Sequence, residues 1–290
     1  MRRVAVLGLI LALGALIIVA RDSTAIQNAA TIEQVKDNLY VIRGGGGNTA
    51  AFLTGDGVVV VDTKLTDWGQ AILDQIQTVT DLPVTMIVNT HTHSDHVGSN
   101  DEFPATVESI VAHENTRANM ERMDMFAGDN ARYLPSETYS DRLSLLDGDD
   151  RLELYYFGAG HTNGDTIIVF PALGTMHTGD LFPGPQVPYI DATNGGSGLA
   201  YPGTLAAAAA GITGVETVIP GHSDVTDWNA FVEFGEFNRD LLSAVEAART
   251  AGRSAAEAAA GLELPARYDA YGRDRLEASV ETIYEELDQR

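Results

Sequence analysis

The segment Asn89-Thr90-His91-Thr92-His93-Ser94-Asp95-His96-Val97-Gly98 limits what this chain can become more than any other stretch. It packs three histidines and an aspartate into six positions, directly after Val84–Val88, an apolar run that reads as a buried strand. Chains leaving a buried strand often form binding loops, and two histidines separated by one residue project the same way while the backbone stays extended. Asp95 and His96 follow a local turn and can point toward a second centre. Imidazole and carboxylate together suit zinc, iron or manganese better than calcium or magnesium. The 290 residues include no cysteine, so any metal site has to be built from His, Asp and Glu, and no disulfide framework is available.

The chain around this loop alternates strands with helices. Leu39–Ile42 and Ala50–Leu53 read as strands around a flexible rim loop at Gly44–Gly47. Gly55-Asp56-Gly57 turns into Val58–Val61, four valines without alternation and hence a strand buried on both faces. Trp68, Ile72, Ile76 and Val79 fall on one side of a helix over 68–79. Further strands are expected at 109–112, 152–157, 166–170, 175–177 and 217–219, with helices at 114–126, 203–210, 228–251 and 273–287. The alanine tracts at 206–210 and 255–260 are ordinary helix. Interleaving of this kind implies an α/β arrangement, with sheets covered by helices.

With its His-x-His-x-Asp-His loop the sequence resembles the metallo-β-lactamase superfamily. Gly160-His161-Thr162, Thr178-Gly179-Asp180 and Pro220-Gly221-His222 follow in the order that family uses, each near the end of an expected strand. The resemblance covers nearly everything after the first thirty residues. It implies a four-layer αβ/βα sandwich, two mixed sheets face to face with helices outside. It implies one metal on His91, His93 and His161, and another on Asp95, His96 and His222. Asp180 stands where the glyoxalase II branch carries a carboxylate bridging both ions, unlike the cysteine-containing lactamases.

The implied cofactor is a pair of zinc ions, with iron or manganese as alternatives. The implied reaction is attack of a metal-bound hydroxide on a carbonyl bond in a β-lactam, lactone, ester or thioester. Asp95 is then the catalytic residue, orienting the hydroxide and shuttling its proton. A persulfide dioxygenase with iron and a non-catalytic periplasmic accessory protein share the fold and remain alternatives. Leu181–Pro188 carries no basic residue to hold a substrate carboxylate, which counts against an efficient lactamase.

Other polar residues take supporting parts. His113 and His177 read as structural, Asp62 as a residue that steadies the metal loop, and Asp165 as either a turn bond or a support for His161. Phe182, Tyr189 and Ile190 are expected to line the substrate pocket.

Arg2 and Arg3 precede a charge-free run from Val4 to Ala20, the layout of an export segment. Ser23-Thr24-Ala25 offers a cleavage site, so residues 1–25 are a signal peptide or, if retained, an inner-membrane anchor, and residues 31–290 are the catalytic domain. The protein is accordingly expected in the periplasm or secreted, touching the membrane only through an uncleaved leader. Forty-one acidic residues against 18 basic ones give a net charge of -23, which repels polyanions and argues for a small-molecule substrate over nucleic acid.

Overall fold

A computed structural model of the protein describes residues 29–289. The expected export segment and its cleavage site lie outside these residues. Among the described residues no helix is long and apolar enough to cross a membrane.

Seven strands form the first sheet, in sequence order: β1 (Thr31–Lys36), β2 (Leu39–Arg43), β3 (Thr49–Leu53), β4 (Val58–Val61), β5 (Val84–Val88), β6 (Ser109–His113) and β7 (Glu137–Tyr139). The first three pairings are antiparallel and the last three parallel. The second sheet joins β8 (Arg142–Leu145), β9 (Leu152–Tyr155), β10 (Ile167–Phe170), β11 (Thr175–His177), β12 (Thr217–Ile219) and β13 (Thr226–Asp227). Only β11 and β12 run parallel there.

The four valines of β4 show how the layers are built. Val59 and Val61 enter the core between the sheets, while Val58 and Val60 enter a second core beneath helix α1 (Gly69–Gln77). A strand with two buried faces has no polar side to present, hence the unbroken apolar run. From the other sheet Ile168 and Phe170 of β10 fill the same central core, with Phe170 edge-on to Phe52 at 5.1 Å. Ile167 and Val169 point outward, into a third core closed by α4 (Tyr201–Gly211), α5 (Trp228–Thr250), α6 (Ala255–Ala260) and α7 (Leu276–Asp288). The result is helix, sheet, sheet, helix, as the resemblance implied.

Several local expectations need correction. The helix expected at 114–126 stops at Met120, and two 3-10 turns follow at Asp124–Phe126 and Gly128–Tyr133. The chain folds back there so that Met120, Phe126 and Leu134 enclose Val97, beside the histidine loop. Packing around Val97 wins over local periodicity. The last helix begins at Leu276 and not at 273. Strands β1, β7, β8 and β13 were not anticipated.

Candidate metal centre

Every expected ligand sits in a loop beside the end of a strand. His91 to His96 follow β5, the latter part lying in the one-turn helix α2 (Ser94–Val97), whose cap position His93 is still extended. His161 stands between β9 and β10, Asp180 after β11, and His222 after β12. Two sets of donor atoms result: His91, His93, His161 and Asp180, and beside them Asp95, His96 and His222, with the atoms of each set mutually within 4.8 Å. All seven residues singled out from the sequence are therefore brought together.

Their outer contacts fix which nitrogen faces inward. His161 Nδ1 lies 2.7 Å from the Tyr189 carbonyl, which can only accept, so this nitrogen carries the proton and Nε2 turns a lone pair to the cluster. His93 Nε2 donates to Asp191 at 2.7 Å and His96 Nδ1 to Asp62 at 2.6 Å. Thr90 Oγ1 gives its own proton to Asp62 and receives one from His91 Nδ1 at 3.0 Å. Four imidazoles are thus held in the tautomer a metal requires, each by a partner that also fixes its ring.

The inward atoms crowd one another. His93 Nδ1 is 2.8 Å from His161 Nε2 and 3.2 Å from His91 Nε2. Burial drives the protons off: His161 falls to about 4, and His91 well below its ordinary value, with His96 and His161 adding to the effect. Asp180 lies between the two sets, with Oδ1 3.3 Å from His96 Nε2 and Oδ2 3.2 Å from His222 Nε2 and 3.6 Å from His161 Nε2. Burial opposes its charge, but His96 and His222 hold the carboxyl well below the usual range. Burial also opposes a charge on His96, yet Asp180 and Asp62 raise it well above normal. Asp180 Oδ1 is buried with no partner in hydrogen-bonding geometry. A buried carboxylate oxygen without a donor is costly, and a cation satisfies it. This donor set, five imidazoles and two carboxylates, fits a pair of divalent ions of the zinc, iron or manganese type.

Two glycines let the backbone come this close. A Cβ on Gly47 would collide with the His96 ring, and one on Gly221 with Asp180 Oδ1. Gly44–Gly47, expected as a flexible rim loop, packs at its Gly47 end against the ligand loop. Gly47 N donates to Asp95 O at 3.1 Å, and the wholly buried Lys64 donates from Nζ to Ile42 O and Gly47 O at 2.8 and 2.7 Å.

The profile of the metallo-beta-lactamase superfamily matches residues 42–229, which include every ligand. The chain belongs to that superfamily. It is 29% identical over 162 residues to the 2,4-dinitroanisole O-demethylase subunit alpha of a Nocardioides strain, covering 53% of this chain and 47% of the relative. It is 29% identical over 155 residues to the metallo-beta-lactamase type 2 of Elizabethkingia meningoseptica, covering 48% and 57%. The chain thus spans about half the length of these curated relatives. The solved structure of a sec-alkylsulfatase from a Pseudomonas species superposes with a TM-score of 0.72 at 16% identity, over 89% of this chain and 50% of that one. At that identity the likeness is one of fold.

Within this superfamily member the supporting residues sort clearly. Asp62 lies outside both donor sets and steadies Thr90 and His96. His113 caps helix α3 (Glu114–Met120) and donates to Ser140 O, and His177 bridges Asn48 O and Gly179 N, so both are structural. Asp165 makes a turn bond, accepting from Thr162 N and Oγ1, and burial raises it to about 7. Of the three residues expected in the pocket only Tyr189 is there. Phe182 and Ile190 are buried in the outer core, Phe182 against Phe231 and Phe234. Alternation along an irregular segment had no strand to anchor it.

The metal face opens into a cavity of about 790 Å³. Its far wall was missed from the sequence. Gln186 and Gly272 pair as a parallel bridge, Val187 N donates to Gly272 O, and Gly272 N to Pro185 O. Helix α7 locks that wall, with Ser279 Oγ donating to Pro188 O at 2.5 Å and Glu286 accepting from Ser197 Oγ and Gly198 N. Asp191, the partner of His93, was missed as well. Followed by Asn194-Gly195, it looks like plain turn chemistry, and Asn194 does bond to it.

Proposed function

We propose that this chain is a binuclear zinc hydrolase that opens a carbonyl bond in a small, exported-compartment substrate. The observation that carries the reading is Asp180, poised between two imidazole sets with an unpartnered buried oxygen. When bound, the ions supply Lewis acidity and the means of ionising water near neutral pH. The protein's own groups do the rest. Asp180 and the five histidines fix the two positions and leave the cavity side open. Asp95, with its side chain 29% exposed toward that cavity, accepts a proton at Oδ2 from the attacking water and hands it to the leaving group. Gln186 and Tyr189 on the far wall orient the substrate. No Ser or Cys nucleophile enters.

The export reading rests on Arg2, Arg3 and the charge-free run to Ala20, and it favours β-lactams, lactones and esters over cytoplasmic thioesters. The charge of -23 keeps nucleic acid off the list of substrates. The test is a panel of chromogenic cephalosporin, aryl ester, lactone and thioester offered to the zinc-loaded protein. Hydrolysis of at least one, lost on chelation and restored by zinc, is expected; silence on all four overturns the reading. Iron in protein purified without added metal, together with oxygen uptake on a persulfide, would replace it with a dioxygenase.

A further inference from the structure

The cavity wall opposite the metal donors presents an arginine. Arg275 lies just before α7, exposed, with its guanidinium carbon 5.3 Å from the centre of the Tyr189 ring. Tyr189 in turn lies 5.9 Å, centre to centre, from both His93 and His161. One aromatic ring therefore separates the guanidinium from the imidazoles. The cation and the metal donors line the same cavity.

The protein has an excess of acid that takes up several of its arginines, while Arg132 lies instead over the Tyr133 ring. Arg43, Arg142, Arg249 and Arg267 are all tied to carboxylates. Arg275 makes no ion pair or side-chain hydrogen bond among the described residues, although Asp274 is its neighbour. Asp191, the nearest acid on the Tyr189 segment, is already engaged by His93 and Asn194. The guanidinium lies over the Tyr189 ring, with no hydrogen-bond partner at its N–H groups among the described residues. Its backbone is also fixed, because the Gln186–Gly272 bridge and α7 attach this strip to the pocket wall. Position 275 lies beyond the residues 42–229 that match the superfamily profile, so the feature belongs to this chain's C-terminal segment.

We propose that Arg275 anchors a second, non-reacting carboxylate of the substrate, about one ring-length from the bond that breaks. The proposal rests on the hydrolase reading for its reaction but not for its binding site. Arg275 is a specificity residue: it receives the carboxylate by paired N–H donors while Tyr189 supports the body of the substrate between the two ends. Neutral substrates of the same shape reach the metal donors without this anchor.

The experiment compares matched esters on the zinc-loaded full chain, each corrected for its spontaneous hydrolysis: mono-4-nitrophenyl glutarate against methyl 4-nitrophenyl glutarate, which keeps the chain and oxygens but not the charge. It is paired with calorimetric binding of glutarate, which has no bond to break. Wild type should favour the anionic ester about ten-fold in kcat/KM, and Arg275→Gln should erase that preference through KM. Arg275→Lys should fall between them, keeping charge but losing the flat donor edge. Glutarate affinity should drop by a similar factor in Arg275→Gln, whereas carboxylate bound only to the metals would not respond. An unchanged ester ratio and unchanged glutarate affinity in Arg275→Gln overturn the proposal. If wild type cleaves neither ester, nor any of the cephalosporin, lactone and thioester substrates, yet binds glutarate through Arg275, the hydrolase reading falls and the anion site stands.

Discussion

The two halves of the metal centre are made of similar ligands but are not equally prepared. His91 and His161 are almost wholly buried and His93 partly so, and each has its outer nitrogen engaged by Thr90, Tyr189 O or Asp191. In the other half only His96 is buried and tied down, by Asp62, while His222 and Asp95 have side chains 31% and 29% exposed. Preparation fixes ring orientation before an ion arrives and lowers the cost of binding. The three-histidine half should therefore hold metal more tightly, and the open half should exchange it and meet the substrate.

That contrast can be broken most directly by removing a ligand from the prepared half. His91→Ala should cost roughly a thousand-fold in kcat/KM, with zinc content falling well below one per chain by elemental analysis. His222→Ala, in the open half, should cost about a hundred-fold and leave close to one ion. If the His222 variant loses both ions, or the His91 variant keeps one tightly, the assignment of tight and loose halves is reversed. Asp191→Asn should weaken the tight position about ten- to a hundred-fold, read by competition with a zinc indicator, because it loosens the orientation of His93 without removing a donor. Asp62→Asn touches both Thr90 and His96, and should weaken both positions.

A smaller effect concerns Lys64, which pins the glycine loop behind Asp95 and His96. Burial pulls its ammonium down to about 7 from an ordinary 10.5. The unfolded chain keeps that proton up to about pH 10.5 and the folded one releases it near 7, so stability rises with pH across this window, and the penalty is complete below it. A neutral amine still has two N–H groups for Ile42 O and Gly47 O. Urea midpoints of wild type should climb relative to Lys64→Met between pH 7 and 10. Parallel curves would mean that the ammonium stays charged in the fold.

How much of this was legible in the sequence depended on distance along the chain. The histidine loop, the valine strand and the later Gly-His, Gly-Asp and Gly-His pairs declare themselves within a few residues, and they yielded the fold and all seven residues of the two clusters. Lys64 did not, because nothing near a lysine announces that its ammonium will end beneath a glycine loop two strands away. Arg275 and Asp191 were missed for the same reason: their roles arise only when the segment before α7 pairs with 185–187 and when residue 191 meets His93. Strands β7 and β8 are short, with polar outward residues such as Glu137 and Arg142, and their pairing is set by the sheets they join.

The backbone contact at Gly47 and Gly221 has a consequence for how such a protein diversifies. Where a single methyl group would strike an imidazole or a carboxylate, almost any substitution disturbs a ligand, so the chemistry is protected by lack of room. The strip carrying Gln186, Tyr189 and Arg275 is held by main-chain pairing and leaves its side chains interchangeable. Variant libraries confined to that strip should yield altered substrate preference without loss of the reaction, whereas libraries at the glycines should yield mostly dead protein.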